Sequence, residues 1–253
     1  MASRRPEWGR MDLQAELSAI PAGAVASPWE NFEHVRGWGV FGAPFSSGHV
    51  LALRVFPQND FAPYRTLWHR TPEGEWSIYY DGPRADAACP RYYGAAARVS
   101  SRCRLELTWT GPMSLTVEMD RPRCRWDMEV TTSPFFALMS TIGPRIPERA
   151  WRSRLLLRLI EGAARRFLRL GSIRLSGTMP NGQYGVLTPR RVYPISRSHA
   201  VLNGVDLGHT VRSRETPRIG EIPVSARAVL AIGRGYFEIT DPDEHRRTKA
   251  ALA

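Results

Sequence analysis

Three successive stretches of the chain alternate apolar and polar residues with a period of two. In "SRCRLELTW" (101–109) Cys103, Leu105, Leu107 and Trp109 share one face. In "MSLTVEM" (113–119) the apolar set is Met113, Leu115, Val117 and Met119, and in "CRWDMEVTT" (124–132) it is Cys124, Trp126, Met128 and Val130. Charged residues, among them Arg104, Glu118, Arg125, Asp127 and Glu129, lie opposite. This pattern predicts antiparallel strands with one buried and one wet face, as in closed barrels and packed sandwiches. "GHVLALRVF" (48–56) reads as an earlier strand. After residue 171 strands resume at "SIRLSG" (172–177), "GQYGVLT" (182–188), "RRVYPI" (190–195), "HAVLNG" (199–204) and "ARAVLAIG" (226–233), then past a "GRG" turn at "YFEIT" (236–240).

The hairpin "YRTLWHRTPEGEWSIYYDG" (64–82) departs from that rule. Its strands, 64–70 and 75–81 around the turn "TPEGE", carry aromatics on both faces. With "CPRYYG" (89–94), Tyr64, Trp68, Trp76, Tyr79, Tyr80, Tyr92 and Tyr93 fall within thirty residues. Such density lines an apolar cavity with a few polar handles, or packs as an aromatic core with cross-strand pairs. His69 and Asp81 lie in the same hairpin and are the candidate catalytic residues. A buried Asp among aromatics has a raised pKa and can donate a proton, whereas a strand-end Asp otherwise forms a turn.

Between the two strand groups "PERAWRSRLLLRLIEGAARRFLRLG" (147–171) reads as an amphipathic helix, with Pro147 near its start and Gly171 as its stop. Trp151, Leu155, Leu159, Ala163 and Phe167 recur every four residues. Two placements stay open. The apolar stripe packs on the sheet and the arginines are solvated, or the helix lies on an anionic membrane surface held by Arg152, Arg158, Arg165 and Arg169.

Composition narrows the chemistry. The 253 residues are 43% hydrophobic, enough for a sizeable core, with a formal charge of +11. Lys249 is the only lysine, near the chain's end, which argues against Schiff-base catalysis. The basic residues are dispersed apart from the helix, and no zinc-finger or RNP pattern occurs, so nucleic acid is not an expected partner. No phosphate-binding glycine loop, GxSxG or HExxH is present, which leaves no expected metal or cofactor. The three cysteines, Cys89, Cys103 and Cys124, show no CxxC and read as small buried hydrophobes in a reducing compartment. Without an apolar leader or an 18-residue apolar run, the expected location is cytoplasmic, peripheral to membrane if the arginine helix docks there.

The layout divides into an N-terminal lead-in (1–36), a first β-lobe (37–146), the linking helix (147–171), a second β-lobe (172–240) and a polar tail (241–253). On "LWHRTPEGEWSIYYDG", "LELTWTGP" and "LSGTMPNGQYG" the chain resembles the lipocalin-like two-lobed proteins related to carotenoid hydratases. The expected fold is therefore mainly β, a lipocalin-like antiparallel barrel or two β-lobes. The resemblance implies an apolar lipid or isoprenoid ligand and, in some members, protonation of an alkene by a carboxylic acid, for which Asp81 is the nearest candidate. Two functions follow. One is binding of an apolar small molecule, with metal-free and nucleotide-free hydratase, lyase, cyclase or isomerase chemistry. The other is a non-enzymatic membrane-surface or interaction protein.

Overall fold

The computed structural model describes residues 12–252; residues 1–11 of the lead-in and Ala253 of the tail lie outside the described residues. The chain is mainly β. Its main strands are β1 (Phe32–Pro44), β2 (Val50–Asn59), β3 (Tyr64–Arg70), β4 (Trp76–Asp81), β5 (Val99–Arg102), β6 (Leu105–Gly111), β7 (Ser114–Met119), β8 (Cys124–Val130), β9 (Tyr184–Leu202), β10 (Val205–His209) and β11 (Val229–Glu238), beside four strands of two or three residues among those described. Helices are α1 (Leu13–Ser18), α2 (Pro90–Tyr93), α3 (Pro134–Ile142), α4 (Arg154–Ala163) and α5 (Pro242–Ala250).

Ten strands form one curled sheet in the order β5-β4-β3-β2-β1-β11-β9-β8-β7-β6. The segments expected as separate lobes share this sheet, because β9 and β11 stand between β1 and β8. The two ends of the order, β5 and β6, are consecutive in the chain, joined by Cys103 and Arg104. Three contacts hold that seam: Cys103 N donates to Tyr80 O at 2.9 Å, Leu105 N to Asp81 Oδ2 at 3.1 Å and Arg65 Nη1 to Leu105 O at 2.9 Å.

The alternating strands behave as their pattern requires. Leu115, Val117, Trp126, Met128 and Val130 enter the interior core, where they meet Trp38, Val40, Leu51, Leu53, Leu67, Tyr193 and Leu230 from the other side of the curl. Leu13 and Leu17 of α1 join the same cluster. All three cysteines are free and buried. Burial pushes the Cys103 and Cys124 thiols up to about 12, so they stay protonated and inert near neutrality.

Glycine sets the local structure of two strands. β1, "FEHVRGWGVFGAP", lacks a strand-like pattern because glycines interrupt it. A Cβ at Gly37 would collide with Val55 O, so the glycine serves close strand approach. "GRG" is likewise no turn. Gly233 and Gly235 run inside β11, opposite Gly37 and Val35, and a Cβ at Gly233 would collide with Thr188 O. The three short strands expected between 182 and 204 are one strand, β9, whose register shifts at Pro189 and which changes partner from β11 to β8 at Pro194 and Ile195. Prolines fit there because the ladder is already broken.

The linking helix is also different. A 3-10 turn (Glu148–Arg152) stops at Ser153, whose hydroxyl caps α4 by accepting from Leu156 N at 3.4 Å, and α4 ends in a π turn (Ala164–Leu168). The break at Ser153 takes Trp151 out of register with the residues after it. Trp151, Leu157, Ala164 and Leu168 are buried, whereas Leu155, Leu159 and Phe167 point outward. The expected stripe is therefore the exposed side of α4.

A buried ionic cluster ties the tail to the sheet. Glu33 on β1 is fully buried and accepts from Arg91 Nη2 at 2.6 Å, Tyr92 OH at 2.7 Å and His245 Nδ1 at 3.0 Å. Burial alone would push its carboxyl up. The hydrogen bonds from His245, Arg91 and Tyr92 and the Arg91 charge outweigh burial and hold it below the ordinary carboxylate value. The stability this contributes is present above the unfolded carboxylate pKa and is lost as pH falls through the lowered folded one. Glu33→Gln leaves the buried Arg91 charge without its main partner, so it costs about 3–5 kcal/mol. The expected results are a lower urea midpoint at pH 7 and a shallower loss of stability on the acid side. An unchanged midpoint would overturn this assignment.

Candidate functional site

The aromatic hairpin is covered by the protein itself. Tyr64, Trp68 and Trp76 lie on one face of β3 and β4 with Ile78, and Tyr92 and Tyr93 of α2 close over them together with Ile219 and Val224. Trp68 packs against Tyr93 at 4.7 Å and edge-on to Trp76 at 6.3 Å, while Tyr92 stacks on Phe237 at 3.8 Å. Tyr80 packs against this cluster, but Tyr79, one position away, points to the interior core. The void among Tyr64, Trp68, Tyr92 and Tyr93 is about 40 Å³, room for a water and far below the few hundred Å³ of a ligand pocket. The expected aromatic cavity is a packed layer. Beneath it Arg54 is buried without a carboxylate, with its guanidinium over Phe41 and Trp68 at 4.5 and 4.7 Å and bonded to Val40 O and Leu53 O.

The candidate catalytic pair is not assembled. Asp81 closes the seam at the end of β4, opposite Arg65, with 34% of its side chain exposed. His69 lies four positions along β3 from Arg65, opposite Ser77. There its Nε2 meets His49 Nδ1 at 2.8 Å and the two rings stack. Burial, followed by the His49 charge, pushes His69 down to about 4, so the His69 ring is neutral near pH 7. Neither residue is placed as a proton donor to an apolar ligand.

A cleft of about 510 Å³, not legible in the sequence, lies between α1, the turn that follows α3, and the sheet. It is lined by Arg36, Arg145, Arg190, Arg191 and Arg234, against only Glu16 and Glu148. Strand register explains the convergence. Val40 faces Leu230, Trp38 faces Ile232 and Arg36 faces Arg234 as successive same-face pairs of β1 and β11. The next pair on that face is His34 and Tyr236, and Tyr236 stacks on Trp29 at 3.9 Å. The arginines thus occupy the gap between two apolar clusters. Glu148 Oε2 takes Arg190 at 2.5 Å and Arg234 at 3.0 Å, and its Oε1 takes the Tyr236 hydroxyl. Arg191 pairs with Glu16 at 2.6 Å, while among the described residues Arg36 bonds to Gln58, a neutral amide, at 3.3 Å. Burial and the Arg234 charge hold Arg190 below the ordinary guanidinium range despite Glu148. The one available sequence signal was arginine flanked by glycine in two strands, "VRGWG" and "GRGYF".

The same turn leads into the second charged feature. Residues 134–170 carry eight arginines and two glutamates, a net +6 within the chain's +11. Arg152, Arg158, Arg165 and Arg169 are all exposed, as expected, with Arg152 lying over the Trp29 ring at 4.8 Å. Of the nine large hydrophobic side chains exposed among the described residues, six fall in this segment: Phe135, Leu138, Ile142, Leu155, Leu159 and Phe167. Phe135 and Phe167 meet at 6.0 Å, which joins the α3 row to the end of α4. Among the described residues no helix is long and apolar enough to cross a membrane, and no three His, Cys, Asp or Glu side chains group as metal ligands.

The histidine pair gives a direct check. In an NMR titration His69 titrates near pH 4, and His49→Ala moves its midpoint upward because only burial then depresses it. A wild-type midpoint near 6.5, the unperturbed value, would overturn the buried-pair description.

Comparison of the chain with protein-family models, with curated proteins and with solved structures finds no match, so the functional reading rests on the geometry of the chain itself.

Proposed function

We propose that the protein docks on anionic membrane surfaces through α3, α4 and the π turn, as a binding protein and not through chemistry at the aromatic hairpin. The observation that carries this reading is the concentration of exposed apolar side chains in one arginine-rich segment. Isolated surface hydrophobics need no explanation, but a contiguous set rimmed by charge marks an interaction site. Leu157 and Ile160 already anchor α4 to Trp29, Trp151 and Tyr236, so Leu155 and Leu159 serve no core. Arg154 and Arg158, both exposed, immediately precede them in the helix. Leucines sinking to the acyl boundary with arginines at the headgroups is the arrangement of an interfacial helix. A lipocalin-like barrel, if the meeting of β5 and β6 is read that way, serves here as a scaffold whose interior is filled by side chains such as Trp126 and Tyr193.

Vesicle co-sedimentation tests it. Binding is expected to vesicles containing phosphatidylglycerol, to weaken as salt rises, and to be far weaker with phosphatidylcholine alone. Leu155→Asp combined with Leu159→Asp removes two side chains worth about 1.5–3 kcal/mol each on burial, so affinity falls about a hundredfold or more while circular dichroism stays unchanged. Arg154→Gln with Arg158→Gln loses about 1 kcal/mol per charge and flattens the salt dependence. Absence of binding to anionic vesicles, or equal binding by the leucine variant, would sink the proposal.

A further inference from the structure

We infer that the cleft between α1, the turn after α3 and the β1–β11–β9 face is an anion site that takes a phosphate monoester. Five guanidinium groups face two carboxylates there, a local charge of +3. Both carboxylates are already engaged, Glu148 by two arginines and a tyrosine and Glu16 by Arg191. Arg36 and Arg234 stand directly opposite on neighbouring strands, where like charges repel, and of the two only Arg234 is paired with a carboxylate, Glu148, among the described residues. Among the described residues Arg36 has a neutral amide for a partner and Arg145 a backbone carbonyl, Thr141 O, and neither meets a carboxylate. A dianionic phosphate group supplies both the charge and enough acceptor oxygens for such planar donors.

Size and lining narrow the class further. About 510 Å³ falls within the range of small-molecule sites and is much larger than one phosphate needs. Ala19, Ile20, Ile232 and the bare backbone of Gly233 form an uncharged wall beside the arginines. A phosphate esterified to a small, uncharged body fits these features better than a free ion or a long polyanion. Two sources share this chemistry: a soluble phosphate monoester, and the monoester headgroup of a phosphatidate lipid, since Pro144–Glu148 lines the cleft and directly follows α3.

Isothermal titration calorimetry with glycerol 3-phosphate, and vesicle binding with phosphatidate or phosphatidylglycerol at matched charge, test the inference. Saturable heat with glycerol 3-phosphate is expected, with Arg36→Gln weakening binding about tenfold, the usual scale for one lost charge-assisted hydrogen bond. Arg36→Gln has no carboxylate partner to strand and so tests the site without unfolding it; exposed Arg174→Gln, outside the cleft, controls for net charge and leaves affinity unchanged. If phosphatidate vesicles are preferred and glycerol 3-phosphate competes with them, the source is the lipid headgroup. If glycerol 3-phosphate binds but vesicles show no such preference, it is a soluble ester. Absence of saturable binding in both arms, or equal losses in Arg36→Gln and Arg174→Gln, would overturn the inference. The proposal for α3 and α4 is tested separately: Leu155→Asp/Leu159→Asp weakens vesicle docking and leaves glycerol 3-phosphate binding intact, and undiminished vesicle docking by that variant sinks the α3–α4 proposal alone.

Discussion

The architecture depends on a single long strand shared between two neighbours. β9 gives its first half to β11 and its second half to β8, and the exchange happens at Pro194 and Ile195. A proline has no N–H to offer the ladder, so the partner change sits where the ladder was already interrupted. That exchange joins the sheet's two arms and lets their apolar faces meet in one core. Glycines at Gly37 and Gly233 allow the neighbouring strands to approach as the sheet curls. Without these two features the alternating strands 105–130 would have nothing to pack against.

The curl also sets where charge accumulates. Following the β1–β11 register along one face, the pairs pass from the interior core to Arg36 and Arg234 and then to the Trp29–Tyr236 stack. Arg190 and Arg191 arrive from β9, and Glu16 and Glu148 from helical segments on either side. Their ion pairs are partly exposed and contribute modestly to stability. Their number and imbalance matter more, because a cleft with net positive charge concentrates anions from solution. Pro144–Glu148 lines the cleft and lies in the chain between α3 and the 3-10 turn that leads to α4, so the charged cleft and the apolar rows are close in sequence.

The aromatic hairpin shows how a conspicuous sequence feature can have a local cause. Aromatics on both faces reflect packing on both. One is covered by α2 and residues 219–224, and the other turns toward the core. His69 and Asp81 each have a specific structural partner, His49 and the Leu105 amide. The residual volume beside Trp68 is that of a water.

Period-two alternation was enough to identify β6, β7 and β8 and the residues they bury, because side-chain direction in a strand is a local property of the backbone. Buried, unpaired cysteines and the charged character of residues 147–171 were legible for similar reasons. β1 was not, because its glycines are justified only by the neighbouring carbonyls they approach. The direction of the α4 stripe was not legible either: it depended on the break at Ser153 and on which side met Trp29 and Trp151. The arginine cleft was furthest from view. Its residues come from positions 16, 36, 145, 148, 190, 191 and 234, and only strand order and register bring them together. Local patterning reveals which side of an element avoids water, whereas convergence of like charges is decided by the tertiary fold.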